Sequence, residues 1–299
     1  MDWIYFVILA TFFWAIGNVM DKYLIDKKVK NPTILFIFFR VVFFIPLILL
    51  TFLLRTGIPS LYFFIMIFIG AAFTVVAILL YYKIVEMEEI SISIPLFQFI
   101  PIFTIFIAFF ALGERLAIMD YVGFLVLVLG GFVISLKKVE GFFATRKVFW
   151  FVLLDSLLFS LYYIILKFVL TYVAFWDVFI WVWIFQSILI VFFAFSGQIR
   201  KDFKYYWKKI NWKDWTIISA NMALATIAVA SYNFAIKIGS ISLIQASENV
   251  QMIFVFVLAL LFTHFFPTVL KEKFDRRALL QKISGMILII IGVLLTQWF

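Results

Sequence analysis

Residues 112–135 read LGERLAIMDYVGFLVLVLGGFVIS, and residues 273–296 read KFDRRALLQKISGMILIIIGVLLT. Each stretch begins with charged residues and continues as an apolar run in which two glycines stand seven residues apart. The glycines are Gly123 and Gly130 in the first stretch, and Gly285 and Gly292 in the second. An apolar run of about 20 residues is typical of a helix that crosses a membrane. The two stretches therefore predict membrane helices of similar design, one in each half of the chain.

The composition extends this prediction to the whole chain. The hydrophobic fraction is 67% of 299 residues, only 14% are charged, and the mean hydropathy is +1.17. Soluble domains are about 45–50% apolar and roughly a quarter charged. The absence of cysteine excludes disulfides and cysteine metal sites, and one histidine does not suffice for an imidazole metal centre. We expect a membrane protein with no metal and no cofactor.

Ten apolar runs are long enough to span a bilayer, and no barrel-type alternation accompanies them. The predicted fold is an all-α integral membrane protein with ten transmembrane helices. The runs lie at about 3–25, 34–54, 61–82, 91–112, 119–136, 148–170, 174–196, 215–236, 240–264 and 281–298. Of the Lys and Arg residues in the connections, 19 fall on one side and 3 on the other. The positive-inside rule then places both termini outside the cell membrane.

Further sequence similarities between the two halves predict an internal repeat. YYKIVEMEEISIS at 81–93 resembles YNFAIKIGSISLI at 232–244, and Lys22 matches Lys167 at the ends of the first and sixth helices. These similarities occur in the same order, which predicts two five-helix repeats, residues 1–140 and 141–299. Because five is odd, the second repeat would enter the membrane from the opposite face. Inverted repeats of this kind permit alternating access to a site near the midplane.

The chain resembles the EamA-type ten-helix transporters of the drug/metabolite transporter superfamily. The resemblance implies a carrier of small metabolites. Members are commonly pictured with cytoplasmic termini, whereas the charge count here favours outside termini. The segments that carry the resemblance are FFWAIGNVMDKYL at 12–24, YYKIVEMEEISISIPLFQFIPIFT at 81–104, LGERL at 112–116 with Gly123 and Gly130, and SYNFAIKIGSISLIQ at 231–245.

Polar residues within the predicted ninth helix indicate where such a carrier binds its substrate. Charged groups at mid-bilayer cost roughly 2.5–3.5 kcal/mol on insertion scales, so they normally face the bundle interior. Gln245, Glu248 and Asn249 share one helical face by their three-and-four spacing. We interpret that face as a cavity wall. The alternative is a polar network that packs helices together.

Two further polar positions lie within predicted spans. Asp155 lies in the sixth helix, where a carboxyl group in low dielectric is suited to exchange a proton for a cationic substrate. The alternative is a partner for Lys167, but twelve residues, or about 18 Å along one helix, separate the two, so they cannot meet directly. Gln98, between Pro95 and Pro101 in the fourth helix, matches Asn249 at an offset of 151 residues. We expect Gln98 and Asn249 to face one cavity; the alternative is a kink needed for packing.

Aromatic and amide residues on other helices complete the predicted site. By the family resemblance they would form its walls, with ordinary packing as the alternative, and aromatic faces would favour an aminated substrate through cation–π attraction. They are Trp14, Asn18, Tyr82, Tyr163, Tyr232 and Asn233. Weaker candidates are Arg40, Lys22 and Lys167. For Arg40 we favour snorkelling to the interface over anion binding, and for the two lysines an interfacial position.

The predicted function is a secondary transporter that exports amino acids or other amine-bearing metabolites, with proton coupling. No P-loop, GxGxxG, HExxH or GxSxG motif occurs, so no enzyme activity is expected. The expected partners are a small-molecule substrate and the lipid bilayer, and a homodimer is possible. Nucleic acid is not expected, because the basic residues between 200 and 215 indicate a linker at the membrane surface. The alternatives are translocation of lipid-linked sugars or lipids, and a non-transporting assembly subunit.

Overall fold

The computed structural model describes residues 2–87, 97–135, 146–193, 196–265 and 276–298. These residues form helices and connections, and no strand occurs among them. The helices are α1 Trp3–Lys27, α2 Pro32–Leu53, α3 Leu61–Met87, α4 Phe99–Ile107, α5 Ile118–Ser135, α6 Arg146–Tyr172, α7 Phe175–Phe193, α8 Gly197–Lys209, α9 Trp212–Ile238, α10 Ile241–Ser247, α11 Val250–Phe265 and α12 Arg276–Trp298. The predicted all-α class is confirmed.

Eight segments of the described residues are long and apolar enough to cross a membrane. Helices α1, α2, α3, α6, α7, α9 and α12 each supply one, and α10 with α11 supplies the eighth. The predicted fourth and fifth spans correspond to shorter apolar helices, Phe99–Leu112 and Ile118–Ile134. Residues 91–96 of the predicted fourth span lie outside the described residues. The protein is therefore a multi-pass helical membrane protein.

The outer surface of the bundle is apolar. Phe52, Phe110 and Ile118 are each more than three-quarters exposed, and many other large apolar side chains share this position. A water-soluble monomer rarely exposes such a continuous apolar surface, because it causes association. In a bilayer the same side chains contact lipid, as the composition predicts.

Four glycines bring α5 and α12 into close antiparallel contact. A Cβ atom on Gly123 would lie 3.2 Å from the carbonyl oxygen of Gly292, and one on Gly285 would lie 2.9 Å from that of Gly130. Side chains larger than hydrogen therefore cannot fit here without separating the helices. The glycine pairs noted in the sequence are thus the contact surface between the two helices, as small residues commonly are in membranes.

The predicted membrane-surface linker forms the amphipathic helix α8. Its apolar face packs on the bundle through Phe203, whose ring centroid lies 5.3 Å from that of Phe38 on α2. Asp202 accepts a hydrogen bond of 3.1 Å from the Asn31 side chain. The basic side chains of α8 lie on its exposed side, at the level where α2 and α9 begin. This position is the expected boundary between lipid and water.

Candidate functional site

The predicted ninth helix is not continuous: it is divided at Glu248 and Asn249 into α10 and α11. The backbone tightens there, since the amides of Asn249, Gln251 and Met252 each bond to the carbonyl three residues earlier. A stretch of such bonds inside a long helix often marks a functional hinge. The span predicted at 240–264 is thus present, but it consists of two helices, although no proline lies in this segment.

A hydrogen-bonded cluster surrounds this break. The Tyr232 hydroxyl on α9 donates to Glu248 Oε2 at 2.8 Å, and Gln245 Nε2 donates to the same hydroxyl oxygen at 2.7 Å. Tyr232 and Gln245 are buried, whereas Glu248 is half-buried. The structure thus brings together three of the residues that the sequence indicated.

The polar groups of this cluster leave acceptors available. The Tyr232 hydroxyl hydrogen and the Gln245 amide are used within the cluster, but Gln245 Oε1 has no hydrogen-bond partner among the described residues. An available carbonyl oxygen beside a carboxyl group suits a ligand that donates hydrogen bonds and carries positive charge. An ammonium group meets both conditions.

Aromatic rings from two other helices adjoin the cluster. The ring centroids of Trp14 on α1 and Tyr163 on α6 lie 5.0 and 5.7 Å from that of Tyr232. Tyr163 also lies close to Gln245 and Glu248. Rings at this distance provide the negative π-faces that attract a cation. The predicted aromatic residues Trp14 and Tyr163 therefore meet at Tyr232, the hydrogen-bond partner of Glu248, from two other helices.

Gln98 and Asn249 bond directly to each other. Gln98 Nε2 donates to Asn249 Oδ1 and Asn249 Nδ2 donates to Gln98 Oε1, both at 3.0 Å. Both side chains are buried, and they pack on Gly131 of α5. The pair therefore joins the start of α4 to the start of α11. The expectation that both amides face an open cavity does not describe this state, because they satisfy one another.

Asp155 lies apart from the Glu248 cluster. Its side chain on α6 has 0% exposure, and neither carboxylate oxygen has a hydrogen-bond partner among the described residues. The predicted impossibility of a pair with Lys167 is confirmed, since the Lys167 ammonium donates to the carbonyls of Ile236 and Gly239 at 2.7 Å each. Lys167 therefore stabilises the C-terminus of α9.

Arg40 does not extend to the membrane interface. Its guanidinium is buried in the bundle, where Nη2 donates to Gln186 Oε1 at 2.7 Å and the group lies over the rings of Phe36 and Trp183. The snorkelling interpretation is therefore wrong. The cause is a polar partner on α7, Gln186, which holds the long side chain inward and which no local sequence pattern connects to Arg40.

The other predicted residues lie outside the cluster. Asn18 is exposed one turn from Trp14, and Asn233 is buried but makes none of the cluster's hydrogen bonds. The side chains of Lys22 and Tyr82 fall outside the described residues.

Two polar contacts were missed by the sequence analysis. Asn221 on α9 donates to Asp21 on α1 at 2.7 Å, and Ser242 donates its hydroxyl to Glu114 at 2.7 Å. Each contact joins the first half of the chain to the second. The family-like LGERL turn contained a signal for Glu114, but nothing in the sequence indicated its partner.

A small apolar cavity of about 10 Å³ lies elsewhere, between α3, α6 and α7, and is lined by residues such as Ile67, Gly70 and Val182. It offers no acid for recognition of a charged ligand. In the described part of the chain no three His, Cys, Asp or Glu residues are grouped so as to hold a metal ion.

The fold and the Glu248 cluster define a class: a multi-pass helical membrane protein with an acid at a broken helix in its interior. The model of the EamA-like transporter family matches residues 1–136, which confirms the resemblance found in the sequence. The first 136 residues are thus similar to a family of membrane transporters.

Solved structures extend the similarity of fold to the rest of the chain. Among 28 matching chains, one titled "Crystal structure of protein" has a TM-score of 0.76 at 13% identity, and the match covers 100% of this chain and 99% of that one. Similarity at this identity concerns the fold alone. A search of curated proteins gives no match.

Proposed function

We propose that the chain is a secondary transporter that exports a small amine-bearing metabolite, such as an amino acid, across the cell membrane by alternating access. It has ten membrane helices in two inverted repeats, residues 1–140 and 141–299, with both termini outside. Its transport is coupled to protons through carboxyl groups, Glu248 and Asp155 being the candidates.

Equivalent contacts in the two halves support the repeat. Tyr81 lies against Phe97 with ring centroids 5.6 Å apart, and Tyr232 bonds to Glu248; both members of the second pair stand 151 residues after those of the first. Helices α4 and α11 begin at Phe99 and Val250, which again differ by 151. A break within a membrane helix, such as the one between α10 and α11, is typical of the binding sites of carriers.

The observation that carries the substrate class is the set of acceptors at Glu248. Its carboxyl group accepts from Tyr232, the available Gln245 Oε1 belongs to the other partner of that hydroxyl, and the rings of Trp14 and Tyr163 lie against the Tyr232 ring. This chemistry favours an ammonium donor over an anion such as a lipid phosphate. Arg40, which the lipid-translocation alternative needs for a phosphate, instead donates to Gln186 inside the bundle.

The test is counterflow in proteoliposomes with radiolabelled amino acids and putrescine, and with choline as a cation whose nitrogen has no hydrogen to donate. For a substrate that the wild-type protein exchanges, Glu248→Gln keeps an acceptor for Tyr232 but removes the charge. Losing one partner of a buried charge pair costs about 2 kcal/mol or more, so affinity should fall by roughly 30-fold or more.

The matched control is Asp202→Asn, which removes a carboxylate on α8 and should leave affinity unchanged. Tyr232→Phe, which keeps the ring beside Trp14 but loses the hydroxyl, should give an intermediate loss. Unchanged affinity in Glu248→Gln would remove Glu248 from the site. Absence of counterflow with every amine in the wild-type protein would refute the substrate class.

A further inference from the structure

Asp155 is a buried acid that the Glu248 cluster does not use. Both of its oxygens lack hydrogen-bond partners among the described residues, and so does the hydroxyl of the adjacent Ser156. An isolated carboxylate in an apolar interior is strongly unfavourable, so such a group is stable when it carries a proton. The structure therefore contains a protonatable group that makes no structural contact requiring its charge.

The position of Asp155 separates it from the substrate cluster. Tyr163 follows Asp155 by eight residues on α6, which is about 12 Å along the helix axis. Ser160 lies between Asp155 and Tyr163 on α6 and donates a hydrogen bond to the Ile100 carbonyl. Ile100 stands at the start of α4, two residues after Gln98, so Ser160 lies near the depth of the Gln98–Asn249 pair. Asp155 and Glu248 thus lie at different depths, on either side of that pair.

Ionisable side chains lie on the side of Asp155 toward the end of the bundle where α1 ends. Tyr81 on α3 interacts electrostatically with both Asp155 and Asp21. Asp21 is half-buried, accepts a hydrogen bond from Asn221, and lies six residues before the end of α1, or about 9 Å. We therefore expect protons to reach Asp155 from this face, since Glu248 lies nearer the opposite one.

Ionisable groups on the helices around α6 do not neutralise Asp155. Helices α4 and α10 and the π-helical turn Ala108–Leu112 contain none. On α7, Asp177 accepts a hydrogen bond from the Gly57 amide at the far end of the bundle. On α3, besides Tyr81, Lys83 lies over the ring of Phe151.

The charged groups of α9 are also engaged elsewhere or exposed. Asp214 pairs with Lys28 at 2.9 Å, and Tyr232 bonds to Glu248. Lys213 and Lys237 are exposed at the two ends of the helix. Within the described residues, Tyr81 is accordingly the ionisable neighbour whose interaction with Asp155 the structure records.

We propose that the two acids have separate tasks: Asp155 carries the coupled proton, while Glu248 binds the amine of the substrate. This inference rests on the proposed function. When the substrate leaves, Asp155 takes up a proton from one face, and it releases the proton as a hydronium ion to water at the other face after the protein changes its opening. Exchange of substrate for substrate needs no such release.

Two transport measurements separate the tasks in Asp155→Asn, which mimics the protonated acid. Counterflow of whichever of putrescine, choline or an amino acid the wild-type protein exchanges should stay close to the wild-type rate. Accumulation driven by a pH gradient, about tenfold per pH unit for one proton per substrate in the wild type, should be lost. Glu248→Gln should lose both activities, with Asp202→Asn as the unaffected control.

A measurement without substrate keeps the inference testable if Asp155→Asn folds poorly. Infrared difference spectra of the wild-type protein across a pH titration should contain the C=O band of a protonated carboxylic acid, and Asp155→Ser should remove a component of it. Loss of counterflow in a folded Asp155→Asn, or an unchanged infrared band, would overturn the assignment. Wild-type protein without counterflow would refute the proposed transport, while the infrared experiment would still decide on Asp155.

Discussion

Substitution of Gly131 by alanine tests the amide pair that joins the two halves. A Cβ atom at this position would lie 2.6 Å from both Gln98 Oε1 and Asn249 Oδ1, whereas ordinary contacts begin at 3.4 Å. Both oxygens would have to withdraw by about 0.8 Å, which disrupts the two hydrogen bonds of 3.0 Å between the amides. Two neutral hydrogen bonds at about 1 kcal/mol each and about 1–2 kcal/mol of overpacking strain, less the gain of up to about 1 kcal/mol from alanine in a helix, predict a loss of about 2–4 kcal/mol.

Thermal unfolding in detergent, followed by intrinsic fluorescence of the 10 tryptophans, measures this loss. We expect Tm to fall by roughly 5 °C or more. The matched control is Gly197→Ala, because nothing lies within 4 Å of a Cβ atom at that position. Its Tm should be unchanged or slightly higher.

A double-mutant cycle identifies the cause of the loss. In a Gln98→Ala, Asn249→Ala background the methyl group of Gly131→Ala meets no amide, so the added alanine should be neutral or stabilising by up to about 1 kcal/mol. Equal losses in both backgrounds would refute the argument, since the cost would then come from helix packing and not from the amide pair.

Two further substitutions test contacts at the ends of the bundle. Lys167→Met removes the ammonium that binds the C-terminal carbonyls of α9 and should lower stability by about 1–2 kcal/mol. The control, Lys237→Met, changes an exposed lysine and should have little effect. Equal Tm values for the two variants would contradict the capping role of Lys167. The hydrogen bond to Asp214 raises the pKa of Lys28, outside the membrane spans, above its ordinary value of 10.5. When folding raises the pKa of a lysine, the stability that this contributes is fully present at pH values below the pKa in the unfolded chain, and it is lost as the pH rises through the pKa in the folded protein. The Tm difference between wild type and Lys28→Met should therefore be present at pH 8 and shrink above pH 10.5. A constant difference across that range would exclude the pair as its source.

The sequence predicted those parts of the molecule that depend on local pattern. Apolar length identified the eight spanning segments, and seven-residue spacing identified the glycines that join α5 and α12. Three-and-four spacing placed Gln245 and Glu248 on one face, and both bond to Tyr232. Each of these features follows from helix geometry, which sequence spacing encodes directly.

Contacts between distant segments were not predictable in this way. The break at Glu248 lacks a proline, and it occurs where Asn249 is held by Gln98, 151 residues away. Arg40 is turned inward by Gln186, and Asp21 is bound by Asn221. In each case the side chain's environment depends on a partner from another helix, so a single sequence read along its length gives no information about it.

The contacts between the halves suggest why the two acids can work separately. In an arrangement related by a two-fold axis, only residues near the axis meet their own counterparts. Gln98 and Asn249 meet in this way, and the contacts of Gly123 with Gly292 and of Gly285 with Gly130 exchange under the same relation. The amide pair thus lies near the axis of the proposed repeat. Groups away from the axis need no counterpart: the position of Glu248 is occupied by Phe97 in the first half. One acid can therefore bind substrate on one side of the pair while Asp155, on the other side, carries a proton.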